Sequence, residues 1–598
     1  MGRNCSVKFG RRAFLIFSIA VGFVSMISSL SATDFMEVTD TAIPNNTPTL
    51  TFGNPVWGDI NNDGYVDLIV PTFKTTGCTT FCTACIVYLN NGDGTFTDIT
   101  ATSGIISDTP GDLHWRGFSL GDYDGDGNLD LYISVMPTTQ AAKYDLLFKG
   151  KGDGTFTYVS PQAGIERSKR WSQNSLWFDY NKDGLLDLFV KNFNPLVAPV
   201  NDPTMLALVG TVSGVAGGTF APNGVIDTIP ASISDDPSTT IINRLYINNG
   251  NGTFTLLDGA AGLEQLTVFD GEIGHSDNCV FQDVDLDGDM DITFSHDSTA
   301  LATNNAGTFV QQPTSVIPRN NRTDTKGLAW GDFNNDGFPD LFVTSGGTQP
   351  KRFRTLLYHN NNGTFSAHDE VASNAGVFTS ANTWVGVWGD YDNDGNLDLF
   401  VTSPAGTGDP LGTNNANLLF HNLGPDRNGH YTFEEVALAA GVQLEDNLPS
   451  SSHKAAAWVD YDNDGFLDLM VKDGTGIGTD ASATGKIHLF KNIIPHTANN
   501  HFLKVNLKAR TQSPHSDSRA IGALVKVEYG AGKIAFREND GGGGGQFESQ
   551  SSLPLHFGVA SATTVTVIVN WPSGLCDQFA NVATNQTITF VEGSSPCQ

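Results

Sequence analysis

The stretch Asp122-Tyr-Asp-Gly-Asp-Gly-Asn-Leu-Asp130 decides the fold of this chain. It places oxygen-bearing side chains at positions 1, 3, 5 and 9 of a nine-residue loop, with Gly127 at position 6. A hard cation such as Ca2+ takes about six to eight oxygen ligands, and the glycine permits the sharp turn that wraps them around one ion. A strand-like run, Leu131-Tyr-Ile-Ser134, follows the loop, whereas an EF-hand loop is longer and lies between helices.

This loop occurs seven times in one register. Position 1 is Asp59, Asp122, Asp179, Asp283, Asp332, Asp390 or Asp460. Position 3 is Asn61, Asp124, Asn181, Asp285, Asn334, Asp392 or Asp462. Position 5 is Asp63, Asp126, Asp183, Asp287, Asp336, Asp394 or Asp464. Position 7, which would bind through its backbone carbonyl, is Tyr65, Asn128, Leu185, Asp289, Phe338, Asn396 or Phe466. Position 9, which closes the cage, is Asp67, Asp130, Asp187, Asp291, Asp340, Asp398 or Asp468.

The repetition separates metal binding from a simpler explanation. A single copy is explained equally well as an acidic turn, because Asp and Gly are common turn formers. Seven copies predict up to seven bound Ca2+ ions. These loops hold more than a third of the 64 acidic residues. The net charge of −31 is therefore interpreted as a sign that the chain binds metal cations. The same charge argues against nucleic acid and anionic membranes as partners.

Each loop lies inside a repeated unit of strands. A short strand and turn such as Phe96-Thr-Asp-Ile-Thr-Ala-Thr-Ser-Gly-Ile105 is followed by an aromatic strand, the loop, and two apolar strands that end in a glycine turn. The unit is an all-β sheet of about four strands and roughly 50–60 residues, which is the size of a propeller blade. The units begin near residues 35, 96, 156, 254, 309, 365 and 433, which predicts a seven-bladed β-propeller over residues 35–495.

The two ends of the repeat array predict how the ring closes. The last unit ends at Ile487-His-Leu-Phe-Lys-Asn-Ile-Ile-Pro495 and lacks the strand that follows in the other units. Its counterpart stands at the other end, as Phe35-Met-Glu-Val-Thr-Asp-Thr-Ala-Ile43, so we expect this strand to complete the last blade. The third unit is longer by a Pro-, Ala-, Gly- and Ser-rich stretch at about 193–240, interpreted as an insertion in blade three or as a degenerate eighth blade.

Residues 501–598 have a different pattern. Alternating runs such as Phe502-Leu-Lys-Val-Asn-Leu507 and Thr564-Val-Thr-Val-Ile-Val-Asn-Trp571 predict a compact, β-sandwich-like domain. The glycines Gly541 to Gly545 precede no helix and no lysine, so they do not form a phosphate-binding loop.

Two family resemblances rest on these residues. The acidic loops, the preceding Gly389-Asp390 and turns such as Asn91-Gly-Asp-Gly-Thr-Phe96 resemble the FG-GAP/VCBS repeats of integrin-α-type propellers. Ser518-Arg-Ala-Ile-Gly-Ala523, Leu555-His-Phe-Gly558 and Trp571-Pro-Ser-Gly574 resemble the ASPIC/UnbV domain. The pairing is similar to the cartilage acidic protein family. The resemblance implies Ca2+ in the blade hairpins and a secreted, adhesion-like role without an agreed catalytic activity.

Residues 1–32 predict an export signal. Arg3, Lys8, Arg11 and Arg12 precede the apolar run Ala13 to Ile27, and small residues near Ala32 offer a cleavage site. The alternatives are an uncleaved anchor and, from the paired arginines, a twin-arginine route. We therefore expect a secreted protein, located in the periplasm or on the outer surface if bacterial, without a stable membrane span after signal removal.

The cysteines fit an exported chain, in which disulfides persist. We expect a Cys576–Cys597 bridge, one pair within Cys78, Cys82 and Cys85, and a buried Cys279. The spacing of the three clustered cysteines also matches an iron–sulfur motif, which the export signal argues against.

The function predicted from these features is an extracellular binding or adhesion module with mainly structural calcium and an unknown protein or glycan ligand. The alternatives are a Ca2+-dependent propeller enzyme, such as a polysaccharide lyase or hydrolase, and an assembly factor for surface structures. Three histidines outside the repeat pattern, His114, His275 and His453, are the candidates for catalysis, and Asp270 with Glu272 near His275 forms the best acid–base cluster. No nucleophile elbow or zinc-protease motif is present in the sequence, and we assign no catalytic residue.

Overall fold

The structure is a computed structural model. It describes residues 33–44, 53–72, 85–105, 113–137, 145–165, 172–192, 243–257, 262–263, 267–268, 272–273, 278–295, 299–313, 315–317, 325–346, 354–366, 368–379, 381–403, 416–444, 453–474, 485–510, 516–530, 532–540 and 550–597. The predicted signal peptide, the insertion at 193–240 with its eighth-blade alternative, and Gly541 to Gly545 lie outside these residues.

Seven antiparallel sheets follow one another through the described residues from 35 to 492, and their strands are numbered in chain order. Sheet one contains β2 (Val56–Gly58), β3 (Asp67–Pro71), β4 (Cys85–Asn90) and β5 (Phe96–Asp98). Sheet two contains β6 (Leu113–Gly121), β7 (Asp130–Pro137), β8 (Leu146–Gly150) and β9 (Phe156–Tyr158). Sheet three contains β10 (Ser172–Phe178), β11 (Asp187–Asn192), β12 (Arg244–Asn248) and β13 (Phe254–Leu256). Sheet four contains β16 (Asn278–Gln282), β17 (Asp291–Ser295), β18 (Thr299–Asn304) and β19 (Phe309–Gln311).

The remaining sheets of the array complete this set. Sheet five contains β20 (Thr325–Gly331), β21 (Asp340–Ser345) and β22 (Leu356–Tyr358). Sheet six contains β25 (Gly386–Gly389), β26 (Asp398–Val401), β27 (Leu418–Pro425) and β28 (Tyr431–Glu435). Sheet seven contains β29 (His453–Val459), β30 (Asp468–Asp473), β31 (Ile487–Asn492) and the N-terminal β1 (Phe35–Glu37). Two small hairpins are formed by β14 (Thr267–Val268) with β15 (Glu272–Ile273), and by β23 (Asn360–Asn361) with β24 (Thr364–Phe365).

The N-terminal strand closes the last sheet, as the sequence predicts. β1 pairs antiparallel with β31, so that Phe35 lies opposite Asn492 and Glu37 lies opposite Phe490. One hydrophobic cluster then joins the first and last sheets, with Trp57 packing near Met470 and Leu489. Because the first and last repeats are joined in this way, the sheets form a closed ring without an open strand edge at the seam.

Aromatic side chains fill the spaces between neighbouring sheets. Trp177 of sheet three stacks on Tyr123 of sheet two, with ring centroids 6.1 Å apart. The same stacking joins sheets six and seven, where Trp458 lies 6.1 Å from Tyr391. Glycines at the ends of the first strands make room for these rings, since a Cβ on Gly121 would come within 2.8 Å of Trp177. The regular aromatic and glycine positions therefore serve the packing of one sheet on the next.

Sheet five departs from the four-stranded expectation. Its third strand β22 ends at Tyr358, and the following residues form the separate hairpin of β23 and β24. The amide of His359 donates to Ser366 Oγ at 3.1 Å, so a side chain takes the place of a ladder partner here. An eight-residue helix follows in place of a turn. The described residues contain three helices, α1 (Thr39–Ala42), α2 (His368–Ala375) and α3 (Ala437–Ala440).

The C-terminal strands form two sheets around one core, as predicted for a sandwich-like domain. One sheet contains β32 (His501–Lys508), β35 (Leu555–Ala560) and β38 (Gln586–Val591), and the other contains β33 (Leu524–Tyr529), β34 (Lys533–Glu538), β36 (Thr564–Asn570) and β37 (Cys576–Ala583). Leu503 and Phe557 of the first sheet share a buried cluster with Val525 and Val567 of the second.

The cysteine expectations are met where the chain is described. Cys576 and Cys597 are joined by a disulfide with their Cα atoms 5.4 Å apart. Cys279 and Cys85 are buried free thiols, so the predicted bridge within the cluster does not include Cys85. Cys78 and Cys82 lie outside the described residues, so the second predicted bridge stays a prediction. Among the described residues, no helix has the length and apolar character needed to span a bilayer.

Candidate metal centres in the hairpin loops

Each acidic loop connects the first and second strands of its sheet, and the aspartate at position 9 begins the second strand. The side chain of this aspartate is buried in all seven loops. In loop one, Asp67 Oδ2 accepts the amide of Ile60 at 2.9 Å, and Oδ1 accepts the amide of Asn90 at 2.8 Å. The carboxylate thus ties the loop to the end of the third strand. Burial raises the pKa of Asp67 to about 7, although these amides oppose the rise.

The other acidic positions shape the turn from inside. Asp122 at position 1 accepts the amides of Asp126 at 3.0 Å and Gly127 at 2.9 Å. Asp126 at position 5 accepts the amide of Asn128 at 2.9 Å. The backbone is left-handed at positions 4 and 6, with φ of 70° at Gly125 and 89° at Gly127. This backbone directs the side chains of positions 1, 3 and 5 to one side of the loop.

The donor set fits a hard cation. One oxygen from each of Asp122, Asp124 and Asp130 lies within 4.8 Å of the other two, and a corresponding set occurs in loop four. Three buried carboxylate oxygens of the loops, Asp124 Oδ1, Asp340 Oδ2 and Asp460 Oδ1, receive no hydrogen bond from any described residue. Buried carboxylate oxygens need a donor or a cation, because leaving them bare is costly. The ligand role of the position-7 carbonyls stays a prediction.

All 35 predicted ligand residues lie in the described part of the chain, but the seven loops are not equivalent. In loops two and six, the residue three positions before the turn glycine of the third strand, Gly152 or Gly424, contacts the acidic side chains of the loop. In loop two, Lys149 Nζ contacts Asp124 and lies 2.9 Å from Asp126. In loop six, His421 Nδ1 lies 3.1 Å from Asp398. The sequence pattern of the loop itself gave no sign of these competing cations.

In five of the seven blades, an asparagine at the end of the third strand links the blade to its neighbour, a role that the sequence analysis does not predict. Asn90 Nδ2 donates to Val66 O of its own loop at 3.1 Å and to Tyr461 O of the preceding blade at 2.7 Å. The same bridge to the preceding blade is made by Asn248, Asn360, Asn422 and Asn492. The asparagine ends the third strand in six of the seven blades, with Gly150 in its place in blade two, and the sequence pattern by itself indicates only a hairpin residue.

Position 4 of the loop provides a second set of links. Asn335 donates to Gly395 O at 3.1 Å, and Asn393 donates to Gly465 O at 3.1 Å. Across the seam, Asn463 donates to Gly64 O at 2.9 Å. Each of these carbonyls belongs to the position-6 glycine of the next loop. The other neighbouring loops are joined by the Asn62–Asn128 hydrogen bond, the Lys182–Asp289 ion pair and the bridges of Asn248 and Asn360 described above, so the contacts connect the loops in a circle at one end of the ring.

The C-terminal domain covers this end. Lys504 Nζ donates to Asp460 Oδ2 at 2.7 Å, and both side chains are buried. Burial raises the pKa of Asp122, and the nearby charge of Arg519 opposes that rise. Arg537 acts in the same way near the buried Asp332. Three basic side chains of this domain thus lie over position-1 aspartates of different blades.

Residues 550–552 of the same domain occupy the inner side of the ring. Gln550 exchanges backbone hydrogen bonds with Phe118 and Leu120 of β6, at 2.8 and 3.0 Å. Its side chain accepts the amide of Trp177 at 2.7 Å, and Ser552 N donates to Trp57 O at 2.8 Å. These contacts satisfy backbone groups on the innermost strands of sheets one, two and three.

The catalytic candidates are only partly described. His275 and Asp270 lie outside the described residues, as do the side chains of His114 and Glu272. His453 is the first residue of β29 and is buried beside Asp473. His453 is not brought together with an acidic loop of its blade, because it lies at the opposite end of its strand from loop seven.

Comparison with known families agrees with this architecture. The family model of the ASPIC and UnbV domain matches residues 513–596, and the model of the FG-GAP-like repeat matches residues 83–133 and 283–343. The chain is therefore an all-β protein of FG-GAP-like repeats that form a propeller, followed by an ASPIC and UnbV domain.

The similar characterised proteins carry one name. Cartilage acidic protein 1 of Xenopus tropicalis is 24% identical over 563 residues, which cover 90% of this chain and 74% of that protein. The human protein of the same name is 26% identical over 268 residues, covering 45% of this chain and 36% of its own length. Among solved structures, a lectin from Agrocybe aegerita that recognises terminal N-acetylglucosamine has a TM-score of 0.37 and 16% identity, over 66% of this chain and 84% of the lectin. The Dos1 propeller has a TM-score of 0.35 and 9% identity, over 74% of this chain and 95% of that chain. Both structural likenesses are too distant to support an argument.

Proposed function

We propose that this protein is a secreted, calcium-binding propeller that acts as an extracellular binding or adhesion module, with calcium in a structural role. The observation that carries the proposal is the connected circle of acidic loops. Their position-9 carboxylates are buried, and hydrogen bonds, with one ion pair between loops three and four, connect each loop to the next. A cation at such a loop would hold the hairpin and, through it, the contact between blades.

Calcium is favoured by the chemistry of the donors. The loops offer carboxylate, amide and carbonyl oxygens, which hard cations prefer, and the carboxylates come from alternate residues. Asp187 and Asp291 have their pKa values raised to about 8, chiefly by burial. A divalent ion would offset the mutual repulsion of the carboxylates and would restore their ionised form.

An extracellular location is supported by three features. The N-terminal segment has the pattern of an export signal, Cys576 and Cys597 are disulfide-bonded, and the relatives are cartilage acidic proteins. Because the C-terminal domain covers the loop end of the ring and residues 550–552 occupy its inner side, we place the ligand surface at the opposite end. The ligand class is a protein or a glycan.

The role of calcium is tested by metal content and thermal stability. Asp130→Asn is expected to remove one Ca2+ from the chain, measured by elemental analysis, and to reduce the calcium-dependent rise in Tm. One ion at 100 times its Kd stabilises by about 2.7 kcal/mol. Asp40→Asn is the matched control, since Asp40 is exposed and lies outside the loops. Equal melting of calcium-loaded and EGTA-treated protein would contradict a structural role.

The binding role is tested separately on arrays of extracellular proteins and glycans. We expect retention of a ligand by the calcium-loaded protein and loss of that ligand after EGTA treatment. Turnover of a polysaccharide on the same array would instead support the enzyme alternative.

A further inference from the structure

A second type of metal-binding cluster lies at the other end of the sheet that closes the ring. His453 begins β29, Asp473 ends β30, and His488 lies in β31. His453 and Asp473 are directly paired across the two strands, and His488 lies opposite Val471, on the same side of the sheet as Asp473. One ligand atom from each of the three side chains lies within 4.8 Å of the other two.

The distances within this cluster are those of ligands that share an ion. His453 Nε2 lies 3.5 Å from Asp473 Oδ1, and His488 Nε2 lies 3.8 Å from Asp473 Oδ2. Both distances exceed the roughly 2.7–3.2 Å of an ordinary hydrogen bond. Bonds of about 2.0–2.2 Å from a tetrahedral zinc ion to nitrogen and oxygen place neighbouring ligands roughly 3.4 Å apart. A small adjustment would therefore bring all three side chains onto one ion.

The orientation of His488 gives an independent indication of metal binding. Its Nδ1 donates to Glu37 Oε1 at 2.9 Å, which leaves Nε2 directed to Asp473. A metal-binding histidine commonly donates its other ring N–H to a carboxylate in this way, which sets the tautomer and the ring orientation. The cluster is also well shielded, because the side chains of His453, Asp473 and His488 are 2%, 6% and 16% exposed.

We propose that His453, Asp473 and His488 bind a divalent transition-metal ion of the zinc class, with Glu37 orienting His488. Two imidazole ligands distinguish this site from the acidic loops, whose predicted ligands are all oxygens, because imidazole suits zinc, nickel and copper and not calcium. The ligands come from three strands of the closing sheet, and Glu37 comes from the N-terminal strand β1. The bound ion would stabilise the sheet that closes the ring, at the end opposite to the acidic loops. Three protein ligands leave a fourth position for water or for a donor group of a bound ligand.

Cobalt(II) is the probe for this site. Tag-free full-length protein is stripped with EDTA and kept in saturating Ca2+, so that the acidic loops are filled. Titration with Co2+ is expected to give the visible absorption bands of a tetrahedral nitrogen–oxygen site at one ion per chain, and equimolar Zn2+ is expected to abolish them. His488→Ala and Asp473→Asn are expected to weaken Co2+ binding at least 100-fold, and Glu37→Gln about 10- to 100-fold.

The matched control is His430→Ala, because His430 is 76% exposed and faces the single carboxylate of Asp426 at 3.8 Å. It is expected to bind Co2+ as the unaltered protein does. If a variant fails to fold, protection of His488 of the unaltered protein, the more exposed of the two histidines, from diethyl pyrocarbonate by Zn2+ gives the same information. Absence of the cobalt bands in the unaltered protein would overturn the proposal and leave His488 as an ion-pair partner of Glu37 and Asp473. Equal binding by the His453→Ala, His488→Ala double variant would overturn it as well.

Discussion

Replacement of Asn90 by alanine is expected to weaken the contact between the first and last blades. The Asn90 side chain is buried and donates to Tyr461 O at 2.7 Å and to Val66 O at 3.1 Å, and its Oδ1 accepts the amide of Gly92 at 3.0 Å. Alanine leaves both buried carbonyls without this donor. An unsatisfied buried polar group costs about 1–3 kcal/mol, so we expect a total loss of about 3 kcal/mol in the free energy of unfolding.

The assay is urea unfolding in saturating Ca2+, followed by tryptophan fluorescence. Asn91→Ala is the control, because the exposed Asn91 side chain bonds only to Thr95 and Thr97 in the same turn and its removal is expected to cost less than about 1 kcal/mol. A loss for Asn90→Ala no larger than for Asn91→Ala would refute the view that this residue fastens the ring.

Three further predictions concern the loops and their cover. Burial raises the pKa values of Asp187 and Asp291 to about 8, above about 3.9 in the unfolded chain, so the metal-free fold binds more protons and its Tm should fall as pH rises from 5 to 8. A Tm of the metal-free protein that rises over this range would contradict the raised pKa values of these buried aspartates. The increase in Tm on adding Ca2+ should be largest at pH 8. Lys149→Leu removes a cation that contacts Asp124 and Asp126, and because the Coulomb repulsion between an ammonium and a divalent ion about 6 Å apart in water is ~1.4 kcal/mol, calorimetry should show about tenfold tighter Ca2+ binding at one loop. Lys504→Met leaves Asp460 buried without its cation and should cost about 3 kcal/mol in urea unfolding, whereas the exposed Lys508→Met in the same strand should cost little.

The strand repeat and its closure were predictable because their causes are local. Each loop carries its oxygens on alternate residues, and the strands beside it alternate in hydrophobicity, so the pattern is visible within one repeat. The last repeat lacks its final strand, and a matching strand stands at the start of the first repeat, so the closure of the ring was predictable. Phe35 of that strand does pair with Asn492 of the last blade. The Cys576–Cys597 bridge was also correctly expected. The same periodicity predicted the acidic residues of the loops. That these residues bind Ca2+ is a proposal.

The links between blades were less predictable, because a contact partner does not follow from a residue type. Asn90 and Asn463 each have an ordinary local explanation, as turn residues in a glycine-rich stretch. Their bonds to Tyr461 and Gly64 join residues that are 371 and 399 positions apart in the chain. Only the closed ring brings these partners within hydrogen-bonding distance.

The sequence by itself determined the blades, their acidic loops and the strand that joins the ends, since these depend on short-range periodicity and on the chemistry of aspartate and glycine. The tertiary structure alone decided that the C-terminal domain covers the loops with Lys504, Arg519 and Arg537, and that Gln550 enters the ring. It alone placed His453 beside His488. Charged residues on strands have the same sequence pattern whether they face solvent or a buried carboxylate, and only packing distinguishes the two cases.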